Sequence, residues 1–285
     1  MMKVLISADM EGTAGVTSWV QVTPHEGRSA RSTSSAEYER ARLRMTREVN
    51  AAADGAFAAG ATGVIVADAH GGKRNLLPDE IDRRLRFVTG TDNELGMMQA
   101  IDEEGIQAVF FTGYHAKAGT PGGPLAHTST GWVHDVRVNG VSIGEYGMNA
   151  IIAGHFGVPV ALIAGDDLAV EQTKQLLGEN LVGVVTKQGY SLSSAQHISP
   201  REARDRIRAG AIEALGKLDE LQPYVMPEGA PVEIDLDHQS RVESCGYLPG
   251  VERIGDRTLG IHPANGYEFG KFWRAILAAG AQMGM

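Results

Sequence analysis

The chain has 285 residues, of which 43% are hydrophobic and 21% are charged, as in a globular protein with one large domain or a domain and a smaller appendage. Its formal net charge of −9 argues against a nucleic-acid or anionic-membrane surface, because neither polyanion would be attracted to it. The single cysteine, Cys245, excludes an internal disulfide and a cysteine-rich zinc module.

The N-terminal segment predicts a first strand over residues 3–8, KVLISA. About five apolar residues precede Asp9, fewer than the roughly 7–15 of a secretory signal. The most apolar later stretch, residues 150–164, is interrupted by histidine, glycine and proline and is too short to span a bilayer. We therefore expect a cytoplasmic protein with no membrane partner.

Short apolar runs alternate with helical stretches along the first two thirds of the chain. Residues 36–58 carry apolar side chains at helical spacing, and Gly60 is a suitable end for that helix. Further strands are predicted at 63–70, 108–115, 158–167 and 182–189. This alternation predicts an α/β fold with a largely parallel sheet flanked by helices.

A hairpin interrupts this alternation. Asn139-Gly140 lies between two alternating runs and is typical of a two-residue hairpin turn. Glu145 follows the second of these runs and opens a predicted helix that extends to about His155.

A polar segment near residues 191–200 suggests a boundary between two parts of the chain. We predict that residues 1–190 form a metal-binding catalytic α/β domain. Residues 191–285 are predicted to form a smaller α+β portion, either separate or packed into the same domain. The elements predicted in it are a helix at 200–217, strands near 231–236 and 257–262, and a helix from about 264 to 281.

Residues able to bind metal follow the predicted strands, at the edge where a parallel α/β sheet binds its ligands. They are Asp9, Glu11, Asp68, His70, His115, Asp166 and Asp167, with Glu145 after the hairpin. Asp9 and Glu11 are two residues apart, so an extended segment puts both carboxylates on one face. Carboxylates and imidazoles without thiolates suit zinc, although manganese or cobalt would also be accepted. The set predicts a hydrolase with two divalent metal ions.

Each of these residues also has a purely structural interpretation. Asp9 could end its strand while Glu11 caps the next turn, and Glu145 could be a first-turn carboxylate favoured by the helix dipole. Asp68 could orient His70 or a neighbouring residue beside the metal, or could simply cap a turn.

The pair Asp166-Asp167 and two further residues complete the candidate site. One aspartate of the pair is expected to cap the following helix, and the other could hold a substrate ammonium. His127 follows the segment GTPGGPLA and could act as general acid or base, or be an ordinary loop histidine. Lys187 ends a strand and could stabilise an oxyanion.

An ordered set of segments resembles the zinc-dependent D-aminopeptidases of the DppA type. The segments are SADMEG (7–12), ADAHGG (67–72), GYHAKAGTPGG (113–123), the following histidine, IGEYGMNA (143–150) and VALIAGDD (160–167). Their order is kept from residue 3 to about residue 190, and more loosely to the C-terminus. The main departure is a longer insert, VTSWVQVTPHEGRSARSTSS (16–35), which could change a lid or the substrate entry.

The resemblance implies a role for each residue of the site. It implies a dinuclear zinc centre bridged by Asp9, with Glu11 and His115 on one ion and His70 and Glu145 on the other. It also implies His127 as the catalytic histidine. Two such ions would share a hydroxide that attacks the carbonyl carbon of the substrate. A homo-oligomer, specifically a decamer, is the assembly that the resemblance implies.

The leading hypothesis is an aminopeptidase that hydrolyses the N-terminal peptide or amide bond of short peptides. Preference for a D-residue rests on the resemblance alone, so an L-specific aminopeptidase or a small-amide amidase stays open. A dinuclear phosphoesterase uses similar ligands, but usually more histidines and an asparagine. A non-catalytic peptide-binding protein would need an export signal and two lobes, and neither is evident.

Overall fold

A seven-stranded sheet forms the centre of the fold in the computed structural model, which describes residues 2–24 and 35–282. In spatial order its strands are β3 (Arg86–Val88), β2 (Gly63–Asp68), β1 (Lys3–Ala8), β4 (Ile106–Tyr114), β7 (Val160–Asp166), β8 (Val182–Ser191) and β9 (Ser194–His197). The first six strands are parallel, and only β9 runs antiparallel to its neighbour. The carboxyl ends of β1, β2, β4 and β7 therefore lie along the same edge.

Helices cover both faces of this sheet, which explains why its central strands are almost continuously apolar. Alternate residues of β1 face opposite ways: Val4 and Ile6 lie in one core, and Leu5 lies in the other. The first core is closed by α2 (Ser35–Ala58) and α5 (Pro200–Gly216). The second is closed by α3 (Glu145–His155) and α4 (Asp167–Leu177).

A second, antiparallel sheet carries its own core. Its strands, in spatial order, are β11 (Glu252–Arg253), β12 (Thr258–Ile261), β10 (Val232–Leu236), β5 (Val133–Val138) and β6 (Val141–Ser142). The helices α6 (Gln239–Cys245) and α7 (Gly266–Ala281) pack on it. Met148 and Ile151 of α3 also belong to this core, so α3 contacts both sheets.

The sheets do not divide at residue 190, where the sequence suggests a boundary. Strands β5 and β6 come from the first part of the chain but pair with β10, and α5 comes from the last part but packs on the large sheet. The division into residues 1–190 and 191–285 stays a prediction. In sheet composition, however, the two parts are interleaved.

The α/β fold class with a largely parallel sheet is confirmed. The hairpin turn is also as predicted, since Asn139 and Gly140 have φ angles of 50° and 79°, both in the left-handed region. The sequence did not indicate several short elements. These are α1 (Trp19–Val22), β3, β9, α6 and β11. Within the described residues, no helix has the length and apolar character needed to cross a membrane.

Candidate metal centre

Five side chains meet at the carboxyl edge of the large sheet, where the sequence predicts a site. They are Asp9 and Glu11 after β1, His70 after β2, His115 after β4 and Glu145 at the start of α3. The three carboxylates and His115 are buried, and His70 has a side-chain exposure of 11%. The converging strand ends bring together residues that are up to 136 positions apart (145 − 9).

The ligand atoms of these side chains are in contact with one another. Nδ1 of His70 lies 3.0 Å from Oε2 of Glu11 and 3.3 Å from Oδ1 of Asp9. Nε2 of His115 lies 3.5 Å from Oδ2 of Asp9 and 3.3 Å from Oε1 of Glu145. Two ligands on one tetrahedral zinc are about 3.3 Å apart, given bonds of about 2.0–2.1 Å. The separations therefore fit shared cations.

Asp9 occupies the centre of the cluster because each of its oxygens faces a different imidazole. The shortest pairs, His70 with Glu11 and His115 with Glu145, differ from the pairs that the resemblance implies. Asp9, Glu11 and His115 also form a group whose ligand atoms all lie within 4.8 Å, which is the implied set for one ion. The distribution of ligands between two ions stays a prediction.

Backbone carbonyls fix which ring nitrogen each histidine turns toward the carboxylates. Nε2 of His70 lies 2.7 Å from the carbonyl of Val22, and Nδ1 of His115 lies 2.9 Å from the carbonyl of Ala116. With a proton held on each of those nitrogens, the opposite nitrogen is the one that can bind a metal ion once it is deprotonated. This is the usual arrangement of metal-binding histidines.

The cluster has the charge and the unsatisfied atoms expected of a cation site. Nε2 of His115 is buried and makes no hydrogen bond to any described residue. No described lysine or arginine forms an ion pair with Asp9, Glu11 or Glu145. Three buried carboxylates repel one another without a cation. The donor set therefore fits divalent metal, and zinc among the candidates.

The pKa values of the metal-free cluster reflect this crowding. Burial and the charge of Glu11 raise the pKa of Asp9 to about 7. Burial opposes ionisation of Glu11, but His70 outweighs it and holds the pKa of Glu11 well below its usual range. Burial also opposes protonation of His115, but Glu145 and Asp9 raise its pKa to about 10. The carboxylates thus favour positive charge at the centre of the cluster.

His127 lies directly over the cluster. Its ring stacks on His115 with 4.2 Å between centroids, and Trp19 of α1 meets it edge-on at 5.1 Å. Nδ1 lies 2.8 Å from the carbonyl of Leu125, so Nε2 faces the site, 3.9 Å from both Glu11 and Glu145. Burial and the nearby His115 lower the pKa of His127, which favours the neutral ring.

Residues 16–24 of the insert are part of this site. It supplies Trp19 against His127 and the carbonyl of Val22 to His70. Neither contact could be predicted from the sequence, in which only the closeness of the insert to Asp9 points to the site. Residues 25–34 of the insert lie outside the described residues, and the change of lid or substrate entry stays a prediction.

Asp68 does not contact the His70 ring; its hydrogen bonds fit the turn-capping role that the sequence also allows. Its carboxylate accepts hydrogen bonds from the backbone N–H groups of Asn75 and Leu76 and from the side chain of Asn75. The Asn75 amide also donates to the carbonyl of His70. Asp68 therefore shapes the loop that carries His70, through Asn75 and without touching the imidazole.

Asp166 and Asp167 have different roles, and that of Asp166 agrees with the predicted helix cap. Asp166 caps α4 by accepting from the N–H of Ala169, and its other oxygen accepts from the N–H of Ala116. Both oxygens of Asp166 are therefore committed to backbone groups. Asp167 accepts from the N–H of Gly189, and its role in holding a substrate ammonium stays a prediction.

Lys187 is placed differently from the oxyanion-stabilising role suggested for it. It is buried, and Nζ donates to the carbonyls of Glu11, Thr13 and Val16. Burial lowers the pKa of Lys187 to about 8, yet three carbonyl acceptors require the three protons of the ammonium form. No N–H of Lys187 is left for an oxyanion.

Comparison with known proteins adds independent findings. Residues 2–275 match the model of a peptidase family described as D-aminopeptidase. A D-aminopeptidase of Bacillus subtilis (strain 168) is 31% identical over 259 residues, which cover 90% of this chain and 90% of that protein. The solved structure of the Zn-dependent D-aminopeptidase DppA from Bacillus subtilis, a self-compartmentalizing protease, matches with a TM-score of 0.91 at 28% identity, covering 100% of both chains.

Proposed function

Because this chain belongs to the D-aminopeptidase family, we propose that it releases D-amino acids from the N-termini of short peptides at the cluster around Asp9. Family membership makes the chain an enzyme that hydrolyses peptide bonds. The observation that carries the assignment of the site is the contact among three carboxylates and two imidazoles at separations of 3.0–3.5 Å.

We propose that the cluster binds two zinc ions that share Asp9. Support comes from the two oxygens of Asp9, which face different histidines, and from the backbone carbonyls that turn Nδ1 of His70 and Nε2 of His115 toward the carboxylates. The solved relative is Zn-dependent. Bound zinc would polarise the substrate carbonyl and lower the pKa of a water molecule.

His127 is proposed as the group that moves a proton during the reaction. Its Nδ1 is tied to the carbonyl of Leu125, and Nε2 faces the cluster, so one ring nitrogen is available at the reacting centre. The neutral ring can accept a proton and pass it to the leaving amine. Trp19 packs against this ring in a T-shaped contact.

Metal analysis of the wild-type protein and of Asp9→Asn tests the shared-ligand centre. We expect about two zinc ions per wild-type chain, and the loss of both ions in the variant, because its amide oxygen carries no charge to offset two cations. Asp167→Asn, outside the cluster, is the matched control and should keep both ions. Full zinc content in Asp9→Asn would contradict the proposal.

The same family relationship supports a proposal about assembly and location. The solved relative is a self-compartmentalizing protease, and we propose a homo-oligomer, with a decamer as its specific form. Exposed apolar side chains at Tyr190, Val225 and Tyr247 are available for subunit contacts. Native mass spectrometry should give the decamer mass, and a monomer at micromolar concentration would contradict the assembly.

We propose the cytoplasm as the location of this protein. Cell fractionation should recover the protein with cytoplasmic markers. Recovery with secreted proteins would contradict this proposal.

A further inference from the structure

The backbone of the segment that carries Glu11 is held mainly by hydrogen bonds with side chains. We call residues 11–16 the ligand loop; it follows β1 and is neither helix nor strand. Its backbone groups are satisfied mainly by side chains from distant elements. A loop held in this way depends on the particular side chains that reach it, because it has no regular ladder of its own.

Lys187, at the carboxyl end of the parallel part of β8, provides the largest share of this support. Its Nζ donates to the carbonyls of Glu11 and Thr13, the latter at 3.2 Å, and to the carbonyl of Val16 at 2.6 Å. One ammonium group thus ties the first, third and last residues of the ligand loop together. The side chain is 1% exposed, so water does not compete for these carbonyls.

Neighbouring side chains form hydrogen bonds with other backbone groups of the ligand loop. Thr186 donates to the carbonyl of Gly12 at 2.6 Å, and Glu48 accepts from the N–H of Ala14 at 3.0 Å. Nδ1 of His197 accepts from the N–H of Gly15, and Arg44 donates to the Gly15 carbonyl. Each of these side chains holds one group of the loop, whereas Lys187 alone holds three.

We propose that Lys187 is a positioning residue that fixes the Glu11 carboxylate for zinc binding by holding the backbone on both sides of the ligand loop. The inference rests on the proposed function, in which Glu11 is a zinc ligand. The carbonyl of Glu11 leaves the same Cα as its side chain, so a bond to that carbonyl restricts the direction of the carboxylate. The bond to Val16 also fixes the chain that leads into α1 and Trp19, beside His127.

The chemistry of lysine explains why this residue type suits the position. An ammonium offers three donors from a single atom, which can satisfy three carbonyls that converge on one point. The planar fork of arginine spreads its donors over three nitrogens and would not fit the same point. A methionine of similar length would fill the space but remove the donor to the buried carbonyls of Glu11 and Val16, and leave the carbonyl of Thr13 only the N–H of Val16. The loop would then have to move.

The test compares Lys187→Met with Lys73→Met in the full-length protein. Lys73 is a matched control, because it is 8% exposed and near the site, but its Nζ bonds to no described residue. For each protein we would measure the zinc dissociation constant against a chelator, the absorption spectrum of the cobalt-loaded form and the unfolding temperature of the metal-free form. The unfolding temperature shows whether a substitution changes the general stability of the protein or only the geometry of the metal site.

We expect Lys187→Met to weaken zinc binding about 10–100-fold, as for other residues that support metal ligands, and to shift the cobalt spectrum. Lys73→Met should leave both the zinc affinity and the cobalt spectrum unchanged. A Lys187→Met protein whose unfolding temperature falls while its zinc affinity and cobalt spectrum stay unchanged would overturn the proposal, since Lys187 would then only stabilise the fold. Failure of the wild type itself to bind zinc would instead overturn the proposed function, and the inference with it.

A second variant covers the case in which Lys187→Met does not fold. Lys187→Gln keeps two N–H donors, so it can satisfy part of the ligand loop without the charge. We expect a folded protein with a zinc dissociation constant raised about tenfold, the lower end of the usual effect of losing a residue that supports a metal ligand, and an altered cobalt spectrum. Wild-type affinity and an unaltered spectrum in this variant would contradict the proposal.

Discussion

The two imidazoles of the candidate metal centre present different ring nitrogens to the carboxylates. His70 uses Nδ1 because its Nε2 faces the carbonyl of Val22, and His115 uses Nε2 because its Nδ1 faces the carbonyl of Ala116. The amide oxygen of asparagine can occupy the place of Nδ1, and that of glutamine the place of Nε2. The correct amide should therefore differ between the two positions.

We predict that His70→Asn retains more zinc than His70→Gln, and that His115→Gln retains more than His115→Asn. The reason is that only the amide of matching length reaches the position of the ligand nitrogen. Metal content after dialysis against a fixed zinc concentration provides the measurement. The same order at both positions would contradict the assigned nitrogens.

His127 should separate metal binding from turnover. We predict that His127→Ala keeps its zinc and loses about 10²–10⁴ in kcat, the usual contribution of a positioned proton carrier. Zinc content and kcat on a D-dipeptide would be measured together. The control is His155→Ala, because His155 is an exposed histidine at the end of α3. Normal turnover in a zinc-loaded His127→Ala would remove this residue from the reaction.

Protons and zinc should compete for the cluster at neutral pH. The pKa of His115 is raised to about 10 in the metal-free protein, so this ring keeps its proton through the neutral range. Protonated His115 forms ion pairs with Glu145 and Asp9. Their contribution to the stability of the metal-free protein is fully present at pH values below the ordinary histidine pKa, and it is lost as the pH rises through about 10. Zinc must displace the proton, so zinc affinity should rise with pH.

Zinc affinity measured by chelator competition at pH 6, 7 and 8 checks this competition. We expect an increase of about tenfold per pH unit for each proton displaced. Calorimetry in two buffers of different ionisation enthalpy should show the released protons directly. An affinity independent of pH, after correction for the chelator, would contradict the raised pKa of His115.

At the scale of elements, apolar periodicity was enough to predict the long strands and helices. The predicted strand at 3–8 and helix at 36–58 match β1 and α2 almost residue for residue. Asn139-Gly140 predicted the hairpin because few other residues adopt two successive left-handed conformations. The short β3 and the polar edge strand β9 lack such a pattern, since exposed strands need no apolar face.

A close approach of two chain segments makes the turn after β1 sensitive to a single methyl group. A Cβ on Gly12 would lie 1.8 Å from the carbonyl oxygen of Tyr114, which belongs to the backbone of β4. We predict that Gly12→Ala lowers the free energy of unfolding by at least about 2 kcal/mol and reduces zinc content, because Glu11 must move.

Gly72→Ala is the matched control for that substitution. A Cβ there would meet nothing within 4 Å, although Gly72 lies in the loop after His70. Its free energy of unfolding should stay within about 0.5 kcal/mol of the wild type in chemical denaturation. Equal stabilities of the two alanine variants would contradict the close approach at Gly12.

At the scale of the whole molecule, the predictable part of the site is the part determined by strand ends. Asp9, His70 and His115 each follow a parallel strand, so their meeting could be expected once the sheet order was assumed. The partners of Lys187 are more than 170 residues away along the chain and are backbone carbonyls, which leave no trace in the sequence. The pairing of β5 with β10 also joins distant parts of the chain. The polar segment near residue 190 is a local signal, so it carries no information about this pairing.

The measurement that tests the central claim most directly is amino-acid release from matched D- and L-dipeptides. The protein would be stripped with a chelator and assayed before and after reloading with zinc, manganese or cobalt. We predict no release without metal, and zinc-restored release from D-dipeptides at a rate well above that from L-dipeptides. Restored cleavage of L-dipeptides alone would contradict the D-specificity. Full activity in the stripped protein would contradict the role of the metal centre.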